Sequence, residues 1–202
     1  MTNLVPQLIS AVLQIAVLLL IPFIWWLVRA RKQQGFFRWL GWQRPRIARP
    51  GPLVLIMGAT LAVFAALGVA FIPAVGQTSR SPLTGLGFAG LGAGLIYAVA
   101  QTAFAEECLF RGFIGRRVAA RCGFQVGNLV QAICFGLAHM VPFLLLGMNP
   151  LISAGTGLYS GAIGWIMGWL NERMAGGSLL PSWILHALAN LLSVSLTLFV
   201  LG

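Results

Sequence analysis

Six long apolar runs, interrupted by short basic connections, leave this chain few ways to fold. They cover roughly 4–28, 52–74, 86–114, 124–146, 151–170 and 179–201. Each can cross the roughly 30 Å hydrocarbon core of a bilayer at about 1.5 Å per residue. Only 8% of the residues are charged, against about a quarter in soluble domains. The expectation is an all-α polytopic membrane bundle of about six transmembrane helices, forming a single membrane domain over 1–202. The third run exceeds one straight crossing and is expected to tilt or to leave the hydrocarbon in part. The run from Leu4 to Val28 has no basic residue before it and no clear small-residue cleavage site, so it reads as a retained span rather than a signal peptide.

The formal net charge of +10 does not point to nucleic acid. The basic residues flank apolar runs, where anionic headgroups attract them. Arg29, Arg31, Lys32, Arg38, Arg44, Arg46 and Arg49 fill the first connection. Arg116, Arg117 and Arg121 fill the third, Arg173 lies in the fifth, and Arg80 is alone in the second. Odd-numbered connections are therefore expected on the cytoplasmic side of an inner or plasma membrane. The aromatic and basic stretch Gly35–Trp42 reads either as a short interfacial segment or as a solvated loop with an aromatic anchor. Cys108, Cys122 and Cys134 form no CxxC pair and read as small packing residues. Gly90-x-x-x-Gly94, Gly157-x-x-x-Gly161 and Gly164-x-x-x-Gly168 put small residues on one helical face, a signal for close helix packing.

The acid and base groups are few. Three acidic residues occur, and two of them, Glu106 and Glu107, are neighbours inside the third run. Ionisable groups are costly in hydrocarbon and mark functional sites by default. Glu107 and Arg111 are spaced i, i+4 and can pair on one helix face. Glu106 points about 100° away. It is left beside a negative charge in an apolar setting, conditions that suit a carboxyl to general base and then general acid work. An ordinary charge cluster at a helix end is the competing reading, since Arg116 and Arg117 follow.

The two histidines lie in later runs. His139 follows Phe135 by four residues, and Asn190 follows His186 by four. Each reads equally as a packing or interhelical hydrogen-bonding residue. With the expected orientation, Glu106, His139 and His186 lie on the order of 10–22 Å from the cytoplasmic interface, at depths that let them share one wetted cavity.

The motifs Glu106-Glu107-x-x-x-Arg111, Phe135-x-x-x-His139 and His186-x-x-x-Asn190, in that order on separate helices, resemble the CPBP (Abi) family. That family includes the CAAX prenyl endopeptidase type of intramembrane protease and many prokaryotic relatives. The likeness runs from about Gly85 to Val200. Residues 1–84 supply two spans and a basic loop with nothing diagnostic, and 85–200 is the expected catalytic core.

The resemblance implies hydrolysis of a peptide bond in a membrane-associated protein or peptide. Glu106 would activate water with help from His139, and His186 and Asn190 would stabilise the oxyanion. Glu107 and Arg111 would organise the site. No cofactor and no metal is the favoured expectation. The alternative is zinc held by Glu106, His139 and His186, since two His and one Glu make a plausible zinc set. Membrane lipid is an expected partner. A non-catalytic membrane scaffold or bacteriocin-immunity protein, and a proton-coupled carrier, are the readings from other classes.

Overall fold

The computed structural model describes residues 4–75 and 83–200, with side chains given outside 68–75. Arg80, on which part of the charge asymmetry rests, lies outside the described residues. Seven helical segments follow one another among the described residues, with no strand between them. They are α1 (Leu4–Arg29), the short α2 (Phe36–Leu40), α3 (Pro50–Val75), α4 (Gly87–Cys122), α5 (Phe124–Leu145), α6 (Pro150–Trp169) and α7 (Leu180–Phe199). The architecture is an all-helical membrane bundle.

Five of the seven are long and apolar enough to cross a membrane: α1, α3, α4, α5 and α7. Their outer faces suit lipid. Val12, Val17, Val54 and Leu55 are all exposed. The expected fifth span forms its helix, α6, but does not reach the hydropathy of the others. The cause is its content of small and hydroxylated residues, Ser153, Thr156, Gly157, Ser160, Gly161, Gly164 and Gly168. Those residues serve packing instead. Ser153, Gly157, Ser160, Gly164 and Gly168 are buried. A Cβ on Gly136 of α5 would stand 2.5 Å from the Gly157 carbonyl oxygen, so the two backbones touch where no side chain intervenes.

The long third run becomes α4, a stretch of 36 residues. It is not a uniform α-helix. A 3₁₀ turn (Gly87–Gly90) and a short α segment lead into a π-helical segment, Ile96–Phe104. Ala105–Glu107 is α-helical, and a second π segment runs over Cys108–Gly115. The wider π register is rare and concentrates at functional sites. Here it brackets the two glutamates.

The chain folds as two compact units that interleave along the sequence. The first comprises residues up to Ile21, Val54–Glu106 and Trp183 onward. The second comprises Pro22–Leu53 and Glu107–Ser182. In the first unit, Leu83, Ala93, Ala98, Val194 and Leu198 form an apolar core. Gly94 allows the approach of α7: a Cβ there would lie 2.6 Å from Val194 Cγ1.

In the second unit, α2 is a packed helix with Trp39 and Leu40 buried. Phe36 meets Phe23 edge-on at 5.3 Å, Trp39 lies 6.0 Å from Phe113, and the Arg117 guanidinium sits 4.1 Å over the Trp39 ring. A connection expected to be interfacial or solvated is thus anchored by aromatic contact to the end of α4. The cysteines are unpaired. Cys108 is buried and accepts a hydrogen bond from Trp42 Nε1 at 3.1 Å, whereas Cys122 is exposed at the end of α4.

Candidate active site

The first unit holds Glu106, His186 and Asn190. Glu106 enters at the C-terminal end of its part of α4, just after the π segment. His186 and Asn190 come from α7, where Trp183, His186 and Asn190 share one face at i, i+3 and i+7. His186 Nε2 lies 3.7 Å from Glu106 Oε2, with the two side chains 8% and 16% exposed. Glu106 Oε2 is a buried atom with no hydrogen-bond partner among the described residues. A buried carboxylate oxygen normally has such partners.

Asn190, expected with His186 at the oxyanion, has hydrogen-bond partners on α4. Its Nδ2 donates to Thr102 Oγ1 at 2.7 Å and to the Ala98 carbonyl at 3.3 Å. Thr102 in turn donates its hydroxyl to the Tyr97 carbonyl at 2.9 Å. Because the Thr102 proton is spent there, its oxygen can only accept from Asn190, which fixes the orientation of the amide. Trp183 Nε1 donates to the Val99 carbonyl at 3.1 Å.

Close by on α4, Gln101 is buried and bonded to α1. It accepts from Gln7, and it donates to Gln14 Oε1 at 2.9 Å and to Ser10 Oγ at 3.2 Å.

The second unit holds Glu107, Arg111 and His139. Glu107 is fully buried, and its Oε1 pairs with Arg111 Nη1 at 2.8 Å across one helical turn. Its Oε2 accepts a short hydrogen bond from Ser182 Oγ. Ser182 is itself tied to Asn171, accepting from Asn171 Nδ2 at 2.7 Å and donating its backbone N–H to Asn171 Oδ1 at 3.2 Å. Both carboxylate oxygens of Glu107 are therefore engaged by protein groups.

The Arg111 guanidinium lies 4.0 Å over the Phe135 ring, and Phe135 contacts the His139 ring at 4.5 Å between centroids. Gly164 of α6 leaves room for this stack, since a Cβ there would meet Arg111 Nη2 at 2.9 Å and Phe135 Cδ1 at 3.1 Å. His139 is half-buried, with Nδ1 2.9 Å from the Phe135 carbonyl oxygen. A carbonyl only accepts, so Nδ1 carries the proton and Nε2 of the neutral ring is the acceptor.

The six candidates thus fall three to each unit. Ser182, Asn171 and Thr102 were not among them. Ser182 and Asn171 follow a proline and a tryptophan-leucine pair in otherwise unremarked loop-flanking positions, and Thr102 is one hydroxyl in an apolar run. Only their partners, 75 and 88 residues away for Glu107 and Asn190 respectively, reveal their use. Within either unit, no three His, Cys, Asp or Glu side chains among the described residues come together as a metal-binding group.

Comparison with protein families matches residues 88–192, more than half of the chain, to a family described as type II CAAX prenyl endopeptidase Rce1-like. No curated protein and no solved structure matches. The matched stretch runs from the start of α4 through most of α7 and takes in all three motifs. This chain belongs to the type II CAAX prenyl endopeptidase Rce1-like family.

Proposed function

We propose that this integral membrane protein is a CAAX-type intramembrane endopeptidase, cleaving a peptide bond in a membrane-associated protein or peptide. The observation that carries the reading is Glu106 Oε2: a buried carboxylate oxygen with no protein hydrogen-bond donor among the described residues, facing an imidazole at 3.7 Å. A carboxylate left in that state is disposed to take a proton from water.

Glu106 removes a proton from water as its oxygen attacks the scissile carbonyl carbon. The second base in this reading is His139, with its lone pair on Nε2. Electrons displaced onto the carbonyl oxygen are met by the His186 N–H. Asn190, whose two amide hydrogens go to Thr102 and Ala98, ties the α7 face that carries His186 to α4. Glu106 then returns its proton to the departing amine as the carbon–nitrogen bond breaks. Glu107 and Arg111 fix the helix that carries Glu106. Odd-numbered connections face the cytoplasm in this reading, as their basic residues favour.

One observation favours a zinc-dependent variant: His139 Nδ1–H donates to a backbone carbonyl, as metal-ligating histidines commonly do. A zinc ion on such a histidine would supply Lewis acidity and an acidified water.

Purified protein incubated with a prenylated peptide ending in a Cys-aliphatic-aliphatic-X sequence tests both. Cleavage that is lost in Glu106→Gln and His139→Ala and survives a strong chelator supports the metal-free reading. Stoichiometric zinc with chelator-sensitive cleavage replaces it with the zinc variant. Normal cellular function of both variants at normal protein levels would sink the protease reading in favour of a non-catalytic role.

A further inference from the structure

Three consecutive backbone carbonyls in the first π segment of α4 accept hydrogen bonds from side chains. Tyr97 accepts from Thr102 Oγ1 at 2.9 Å, Ala98 from Asn190 Nδ2 at 3.3 Å, and Val99 from Trp183 Nε1 at 3.1 Å. Two of the three donors come from the α7 face that also carries His186. The third, Thr102, is joined to that face by Asn190 at 2.7 Å. All lie within the first unit.

In an α-helix the i→i+4 bonds occupy the carbonyls and leave little reason for outside donors. In a π segment the register is wider, and the remaining lone pairs are open to side chains. In a span such donors matter more, because no solvent is at hand to satisfy backbone that departs from α geometry. The π segment ends at Phe104, and Glu106 follows two residues later. Its register therefore sets the rotation at which the Glu106 carboxylate leaves the helix.

From this we infer that Thr102 and Trp183 are positioning residues: with Asn190 they clamp the π segment of α4 to α7 and so set the separation of Glu106 and His186. The inference rests on the proposed roles of those two groups. Losing a clamp lets the segment relax toward α register, which turns Glu106 about its axis away from His186. A misplacement of about 1 Å at a reacting group costs on the order of 10²-fold in rate. The clamp acts on the position of the reacting groups, so kcat falls while KM holds.

The test uses the full chain in detergent or vesicles, with a prenylated Cys-aliphatic-aliphatic-X peptide as probe. Thr102→Val keeps the shape and removes the hydroxyl, Thr102→Ser keeps the hydroxyl, and Trp183→Phe removes only the indole N–H with part of the ring. The expected result is a kcat lowered about 10- to 100-fold in Thr102→Val and Trp183→Phe, an unchanged KM, and recovery in Thr102→Ser. Amide hydrogen exchange gives an activity-independent readout. Thr102→Val should speed exchange at residues 101–106 while α5 and α6 keep their wild-type protection. Wild-type kcat and wild-type exchange in Thr102→Val would overturn the inference. A Glu106→Gln variant that still cleaves would instead overturn the functional reading beneath it. Loss of protection throughout the chain in Thr102→Val, with no recovery in Thr102→Ser, would reduce Thr102 to a general stabilising residue and also overturn the inference.

Discussion

Glu106 Oε2 and His186 Nε2 face each other at 3.7 Å, while the adjacent Glu107 spends both its oxygens on Arg111 and Ser182. Neighbours in sequence, the two glutamates have opposite surroundings. One is braced by donors, and the other keeps an oxygen open beside an imidazole. Glu106→Gln is isosteric and removes the proton acceptor. Its expected effect is a loss of about 10²–10⁴-fold in cleavage rate, the usual range for general base catalysis, with little change in melting temperature. Initial rates on the prenylated peptide, alongside thermal unfolding in detergent, check both halves.

His186→Ala removes the proposed oxyanion donor. A loss of about 10²–10³ in kcat is expected, with KM nearly constant, because the donor acts on charge that develops only in the transition state. A rise in KM at unchanged kcat would assign His186 to substrate binding instead.

Glu107→Ala should unfold the protein more readily rather than merely slow it. It strands the Arg111 guanidinium, 3% exposed, without its carboxylate. Breaking a buried pair from one side costs about 3–5 kcal/mol. The double change Glu107→Leu with Arg111→Met removes both charges and should be milder than Glu107→Ala alone. A double-mutant cycle read by thermal unfolding decides this, and strict additivity would contradict the pairing.

Ser182→Ala deletes a donor to a charged, buried acceptor. A destabilisation of about 1.5–3 kcal/mol is expected. Ser182→Thr retains the hydroxyl and should recover part of it. The same unfolding assay serves, and a neutral Ser182→Ala would show that Glu107 does not depend on this bond.

Gly136→Ala adds a methyl 2.5 Å from the Gly157 carbonyl oxygen. Backbone cannot swing aside as a side-chain tip can, so α5 and α6 must separate, at a cost of about 1–3 kcal/mol. Gly58 has nothing within 4 Å of an added Cβ, and Gly58→Ala is the matched control expected to be neutral or better.

What could be read in advance followed from periodicity and from rarity. Hydropathy located the long helices to within a few residues, because a span must satisfy its own backbone whatever its partners, except at the C-terminal end of α4, which continues past the apolar run to Cys122. The Glu107–Arg111 pair was legible because i, i+4 neighbours meet on any helix. The π segments were not. In a run such as Ile96–Phe104 nearly every side chain is apolar, so no pattern separates a period of 3.6 from a wider one. The Ser182 and Asn171 bracing of Glu107 and the Thr102 anchor for Asn190 were equally hidden, since they join residues that only the fold brings together. The run 151–170 forms its helix where expected, with glycine and serine among its Leu and Ile lowering its apolar character below that of the other spans. Their role is contact with α5, and a scale of transfer to lipid gives them no credit for it.

The small-residue face of α6 bears on biogenesis. Leu151 and Leu158 stand exposed on α6, but the glycines and serines between them weaken its tendency to leave water by itself. It therefore enters the bilayer as the second arm of a hairpin with α5, or not at all. A ribosome paused before Met174 has emerged should hold α5 inserted with α6 still waiting outside.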